Sequence, residues 1–262
     1  MTRPRFPEVT AAERTVADLL PIGADPEEGR MVLSRVPFWF HTFALNADHG
    51  LYTRGVARDH RYRVPFLPAS FAGQRVLDVG TFDGFYAYLA EHRGAARVVA
   101  VDNEQYVAWV KGRWGVALGG GEGFRAIGDL LSSRVEYVRA DALALADSGE
   151  RFDVIFCFGI LHRVENPLGL VRVLGGLLAP GGRMLVETYG IAADGRLDAR
   201  RAIEVQEPGA VYGGDEYVYW GFAARGLSAL AKLAGFARMK IEATPVIDGH
   251  PRILATLERP RG

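Results

Sequence analysis

Residues 76–91 read VLDVGTFDGFYAYLAE, so an apolar run, a turn bounded by glycines and a helical stretch follow one another without a gap. That order restricts the fold sharply. Val76, Leu77 and Val79 have the continuous apolar character of a strand buried on both faces, as in parallel sheets. Gly80 and Gly84 let the chain turn tightly into a helix opening at Phe85, whose first amides would face a ligand. The turn lacks the three-glycine spacing of a dinucleotide site. Thr81, Phe82 and Asp83 separate the glycines, placing a ring and an acid where a pyrophosphate needs bare backbone. A nucleoside ligand without phosphates suits the turn better, and Asp78 at the strand end suits a cationic tail.

The chain has 262 residues, enough for one large α/β domain with extra elements. Its 31 basic and 31 acidic residues cancel, so the overall field points to neither nucleic acid nor a membrane. Cys157 is the single cysteine and lies in an apolar run, which excludes an internal disulfide and a cysteine-based zinc site. A buried core thiol is the plain reading, and no metal is expected. No apolar stretch reaches membrane-spanning length and the amino terminus is polar, so a cytoplasmic protein is expected.

From Gln74 onward strand and helix patterns alternate, which implies a doubly wound α/β fold with a mostly parallel, seven-stranded sheet covered on both faces. Strands are predicted at 76–79, 97–101, 135–139, 152–158, 183–188, 238–245 and 252–257, with a helix at 225–234. Residues 1–70 form a prefix with helices at 11–20, capped by Thr10, and at 26–36. Its aromatic run PFWFHTFAL, residues 37–45, is either a hook sealing the core or a lid over the site. Residues 71–262 form the core, with 189–220 as an insertion on the substrate side. The glycine-rich loop 119–123 follows a helix rather than a strand and reads as a connection.

Ligands of open parallel sheets bind outside the carboxyl ends of the strands, where strand order reverses. Asp102 ends the second strand about 20 residues past the turn, where an acid meets ribose hydroxyls. Asn103 follows it. Asp141 and Ala142 end the third strand, where a carboxylate and an amide can read adenine, although Asp141 also suits a helix cap. Phe158 and Gly159 end the fourth, and His162 just beyond projects toward an acceptor as a candidate proton acceptor, or else bonds a loop carbonyl. Arg58, His60, Arg61 and Arg63 form a basic cluster that either grips an anionic group or is a solvated loop; Arg200 and Arg201 share that ambiguity.

Taken together, the turn at Gly80, Asp102, Asp141-Ala142, FDVIFCFGILH and LLAPGGRMLVET resemble the successive motifs of class I S-adenosylmethionine-dependent methyltransferases, over residues 74–188. GTFDGFYAYLAE, GILHRVENPL and FWFHTFAL more narrowly resemble the group related to tRNA wobble-uridine carboxymethyltransferases. The resemblance implies a Rossmann-like fold with an amino-terminal helical lid, S-adenosylmethionine as cofactor, and contacts to it from Asp78, Gly80, Thr81, Phe82, Gly84, Asp102, Asn103, Asp141, Ala142, Phe158 and Gly159. Two departures stand out: Phe82 replaces a small turn residue, and His162 stands where the wobble-uridine enzymes have a tyrosine. On the acceptor side, His41, Tyr86, Tyr189, Gln206, Tyr217, Tyr219 and Trp220 suit a flat organic molecule. The expected activity is methyl transfer to an oxygen or nitrogen, ahead of carbon, of a small biosynthetic intermediate. An RNA base modifier, a non-catalytic cofactor binder and, last, a nicotinamide oxidoreductase are the alternatives. The expected partner is a small molecule, with a homodimer left open and nucleic acid and membrane disfavoured.

Overall fold

The computed structural model describes residues 6–57, 60–103, 105–193, 195–212, 214–247 and 249–262. Seven strands form the main path of the central sheet: β1 (Arg75–Val79), β2 (Arg97–Asp102), β3 (Glu136–Arg139), β4 (Phe152–Phe158), β5 (Leu178–Tyr189), β6 (Arg238–Ala243) and β7 (His250–Glu258). Their order is β3–β2–β1–β4–β5–β7–β6, and a short eighth strand, Val246–Ile247, pairs with β7. The first five pair in parallel. β7 runs antiparallel to both β5 and β6. The chain winds from β1 out to β3 and then returns to the other side of β1 with β4, so the strand order reverses between β1 and β4. That reversal opens a crevice at the carboxyl ends of both strands.

Period-two alternation sends side chains to two separate cores. Val76, Val154 and Phe156 enter one, Leu77, Ile155 and Cys157 the other. Helices α1 (Ala11–Ala17), α2 (Pro26–Arg35), α3 (Phe85–His92), α4 (Gln105–Trp114), α5 (Glu122–Leu131), α6 (Pro167–Leu177) and α7 (Ala224–Leu233) surround the sheet. α6 and α7 supply Leu174 and Leu227 to the second core. α3 supplies Phe85 and Leu89 to the first, together with Leu20, Phe43 and Leu45 of the prefix.

The prefix is therefore part of the fold. Thr10 caps α1 as expected, in a reciprocal bond pair with Glu13, although the helix stops at Ala17. Phe43 and Leu45 are completely buried, each contributing about 2 kcal/mol of transfer free energy. A detachable flap would leave such residues in water. The loop before α5 spends its amides internally, Gly120 donating to Glu122 at 2.9 Å. Among the described residues no helix is long and apolar enough to cross a membrane.

Candidate active site

Gly80 and Gly84 take φ of +74° and +89°, and Phe82 between them takes +55°, the left-handed region that side chains rarely enter. A Cβ at Gly80 would collide with Ile160 across the strand-order reversal. This strained turn points the Phe82 amide at Asp102, whose Oδ2 accepts it at 2.7 Å, while Oδ1 accepts the Asn103 amide at 3.0 Å. Thr81 donates its hydroxyl to Asp78 Oδ2 at 2.7 Å. Thr81 and Gly84 thus shape the turn and line neither cavity.

Asp78 and Asp102 are both buried, and neither joins an ion pair among the described residues. Burial raises the Asp78 carboxyl to about 6, its Thr81 bond only partly opposing this. Asp102 is raised to about 7, again by burial, with nearby Asp78 and Asp83 adding to it against the two amides. Two dehydrated acids side by side suit a ligand that brings a positive charge and hydroxyl donors.

Two adjoining cavities extend from this cradle. The first, of about 480 Å³, includes Asp78, Gly80, Phe82, Tyr86, Phe158 and Gly159 in its wall. The second, of about 540 Å³, runs along Asp141, Ala142, Leu143, Leu170 and Tyr219. Asp102, Asn103, Ile160, Arg163 and Tyr217 border both. Asp141 Oδ1 accepts the Leu143 amide at 2.8 Å, so the capping role is present alongside its place at the cavity edge.

Asp83 departs from expectation. Its carboxylate turns away from the ligand side and ties down the aromatic hook, accepting the Phe40 amide at 2.7 Å, the His41 amide at 3.0 Å and a short bond from His41 Nδ1. The hook seals the first core through Phe43 and walls the first cavity through Phe40 and His41. Phe40 stacks on Phe82 at 4.5 Å, which explains why this turn carries a phenylalanine.

His162 must be reassigned. It is fully buried and lines neither cavity. Its Nδ1 lies 3.3 Å from both Thr188 Oγ1 and the Tyr189 amide, and its Nε2 is buried without a partner. Burial, followed by the fields of Arg252, Arg163 and Arg63, pushes its pKa well below the ordinary value. It is a neutral core residue beneath the site.

Three acceptor-side residues lie outside both cavities, and for Gln206 and Trp220 the setting is a fold-back of 189–220, in which Ile203–Val205 pairs with Trp220–Phe222. Gln206 sits in that hairpin, its backbone N–H donating to Tyr219 O at 2.8 Å. Trp220 donates its indole N–H to Val164 O at 2.8 Å. Tyr189 is buried at the end of β5 with its hydroxyl 3.4 Å from His250 Nδ1. None of the three lines either of these two cavities, whereas Tyr217 and Tyr219 on the returning limb do.

Of the basic cluster, Arg58 lies outside the described residues, Arg61 is exposed, and His60 and Arg63 are buried. His60 Nδ1 meets the Tyr86 hydroxyl at 3.2 Å. Arg63 donates to the fully buried Glu187 at 2.6 Å, and Arg252 Nε bonds the other oxygen of the same carboxylate. Burial would raise Glu187, but the two guanidiniums outweigh it and hold the carboxyl at about 2. Glu187 and Arg252 are functional-site residues with no motif to mark them. The signal was an acid inside MLVETY and a base inside HPRILATL, each interrupting an apolar strand.

Residues 52–238 match the model of a methyltransferase domain. The chain belongs to that family. The buried acids at the ends of β1 and β2 and the cramped Gly80 turn fit S-adenosylmethionine, a phosphate-free, cationic cofactor. Among curated proteins it is similar to the tRNA U34 carboxymethyltransferase of Chromohalobacter salexigens, 28% identical over 187 residues, covering 70% of this chain and 49% of that one. It is also similar to the ubiquinone biosynthesis O-methyltransferase of Ruegeria pomeroyi, 31% identical over 118 residues, covering 45% and 42%. The chain thus spans less than half the length of either. Two solved structures share the fold: an S-adenosylmethionine dependent methyltransferase from Mesorhizobium loti (TM-score 0.56, 20% identity, 78% of this chain and 98% of that one), and the amino-terminal domain of EvdMO1 with SAH bound (TM-score 0.59, 17% identity, 92% and 99%).

Proposed function

We propose that this methyltransferase acts on an oxygen or nitrogen of a small, flat organic acceptor in the cytoplasm. The observation that carries this reading is the first cavity, whose aromatic walls adjoin the cofactor cradle. Asp78 would hold the cofactor's ammonium, Asp102 its ribose hydroxyls, and Asp141 with Ala142 its adenine in the second cavity. When bound, S-adenosylmethionine would supply a methyl carbon activated by a sulfonium, open to in-line attack by an acceptor lone pair with the neutral thioether S-adenosylhomocysteine as leaving group. The prefix walls the first cavity on one side through Phe40 and His41, and Tyr86 and Phe158 help exclude water from it.

His41 takes the proton in this reading. Asp83 fixes its Nδ1, it lines the first cavity, and its Nε2 has no hydrogen-bond partner among the described residues. An imidazole oriented by a carboxylate is the usual arrangement of a general base. The test is incubation with methyl-labelled cofactor and a small-molecule extract of the host, followed by mass identification of the labelled products. A labelled small molecule is expected, with turnover reduced about 100-fold or more in His41→Asn. Label confined to RNA would overturn the reading.

A second reading, an RNA base as acceptor, draws on the similarity to tRNA U34 carboxymethyltransferases. It requires binding of bulk tRNA that weakens steeply with salt. The chain's zero net charge argues against such binding.

A further inference from the structure

Methyl transfer as proposed leaves one buried charged group of the first cavity without a task. Arg252, near the start of β7, is only 6% exposed. Its Nε is spent on Glu187, a carboxylate it shares with Arg63. Its two terminal nitrogens hydrogen-bond no described residue, yet the side chain lines the cavity with its guanidinium over the Tyr212 ring, 5.5 Å from the centroid. Arg163 lines the same cavity, held on Asp215 at 2.7 Å. A planar fork backed by a ring, with its terminal nitrogens open to the cavity, matches a carboxylate in two parallel hydrogen bonds.

We propose that Arg252 anchors a carboxylate on the methyl acceptor, so that the substrate class is a flat organic acid methylated at a different oxygen or nitrogen. This rests on the small-molecule reading above. Glu187 acts as the positioning residue: its grip on Nε directs the remaining nitrogens into the cavity, while Tyr212 holds the guanidinium plane. The anchor lies on the β5–β7 side of the sheet, and the cradle acids lie on the β1–β2 side. The acid group is thereby kept away from Asp78 and Asp102, whose own negative charge would repel it.

The test is calorimetric titration of SAH-saturated protein with benzoate, salicylate and 4-hydroxybenzoate, against phenol and benzamide as neutral counterparts. At least one acid should bind about tenfold or more tightly than the neutral compounds, and the preference should vanish in Arg252→Lys and Arg252→Gln. Arg252→Lys keeps the charge against Glu187, and the circular dichroism spectrum with its thermal melt reports whether each variant is folded. Equal affinities for acids and neutral compounds, or a preference that survives both substitutions, would overturn the proposal. A loss of SAH affinity in folded Arg252→Lys, with the acid preference intact, would overturn it by giving the fork to the cofactor's own carboxylate. Wild-type protein that fails to bind SAH would bring down the parent reading with it.

Discussion

Asp102 and Asp78 lose their water on folding, and a few hydrogen bonds, from the Phe82 and Asn103 amides to Asp102 and from the Thr81 hydroxyl and the Ala87 backbone to Asp78, replace it only in part. Their carboxyls consequently sit at about 7 and about 6. A cation at Asp78 needs the ionised form, so cofactor affinity should be highest above pH 7 and fall by up to about tenfold per unit below pH 6. Trp109 lines the first cavity, so quenching of its fluorescence by SAH between pH 5 and 8 measures this. A flat profile would contradict the assignment of Asp78. His162 makes the opposite prediction. Because it is buried and neutral, His162→Gln should cost about 2 kcal/mol of stability in urea unfolding and leave the pH profile of turnover unchanged.

Asp83 joins two elements, holding the hook against the start of α3 through two amides and an imidazole. Bonds to a charged group are worth roughly 1.5–3 kcal/mol each, so Asp83→Ala should lower stability by about 3 kcal/mol or more and expose the prefix to limited proteolysis. An unchanged digestion pattern would show that the hook is held by its buried rings alone. The strands of the sheet and the cradle were legible in the sequence because they depend on local signals: apolar runs, turn glycines and acids at strand ends. His162 was misread because a position in the chain says where a residue emerges from a strand, not which way the next turn carries it. Arg252 and Glu187 lie 65 positions apart and meet only through the antiparallel pairing of β7 with β5. The hairpin within 189–220 was hidden for the same reason: no periodic pattern announces a strand of three residues.

Across the whole molecule the buried acids pull stability in opposite directions with pH. Asp102 goes from an ordinary 3.8 to about 7 on folding. Its contribution is therefore fully present below pH 3.8 and lost as pH rises to 7, an effect of about 4 kcal/mol. Asp78 shifts in the same direction, whereas Glu187, held at about 2, contributes stability above its ordinary 4.5 and loses it in acid. Ligand-free protein should accordingly melt highest near pH 4 and lose stability toward pH 8, and SAH should flatten that decline by supplying partners to both cradle acids. Thermal melts with and without SAH test this, and parallel curves would contradict it. The central claim is that the carboxyl edge between β1 and β4 is shaped for an adenosyl cofactor without phosphates. Its most direct test is calorimetric titration of SAH and of NADH into wild-type and Asp102→Asn protein at pH 8. The account predicts one SAH per chain, weakened about tenfold or more by the substitution, and no heat from NADH. Tight NADH binding, or SAH affinity indifferent to Asp102, would contradict it.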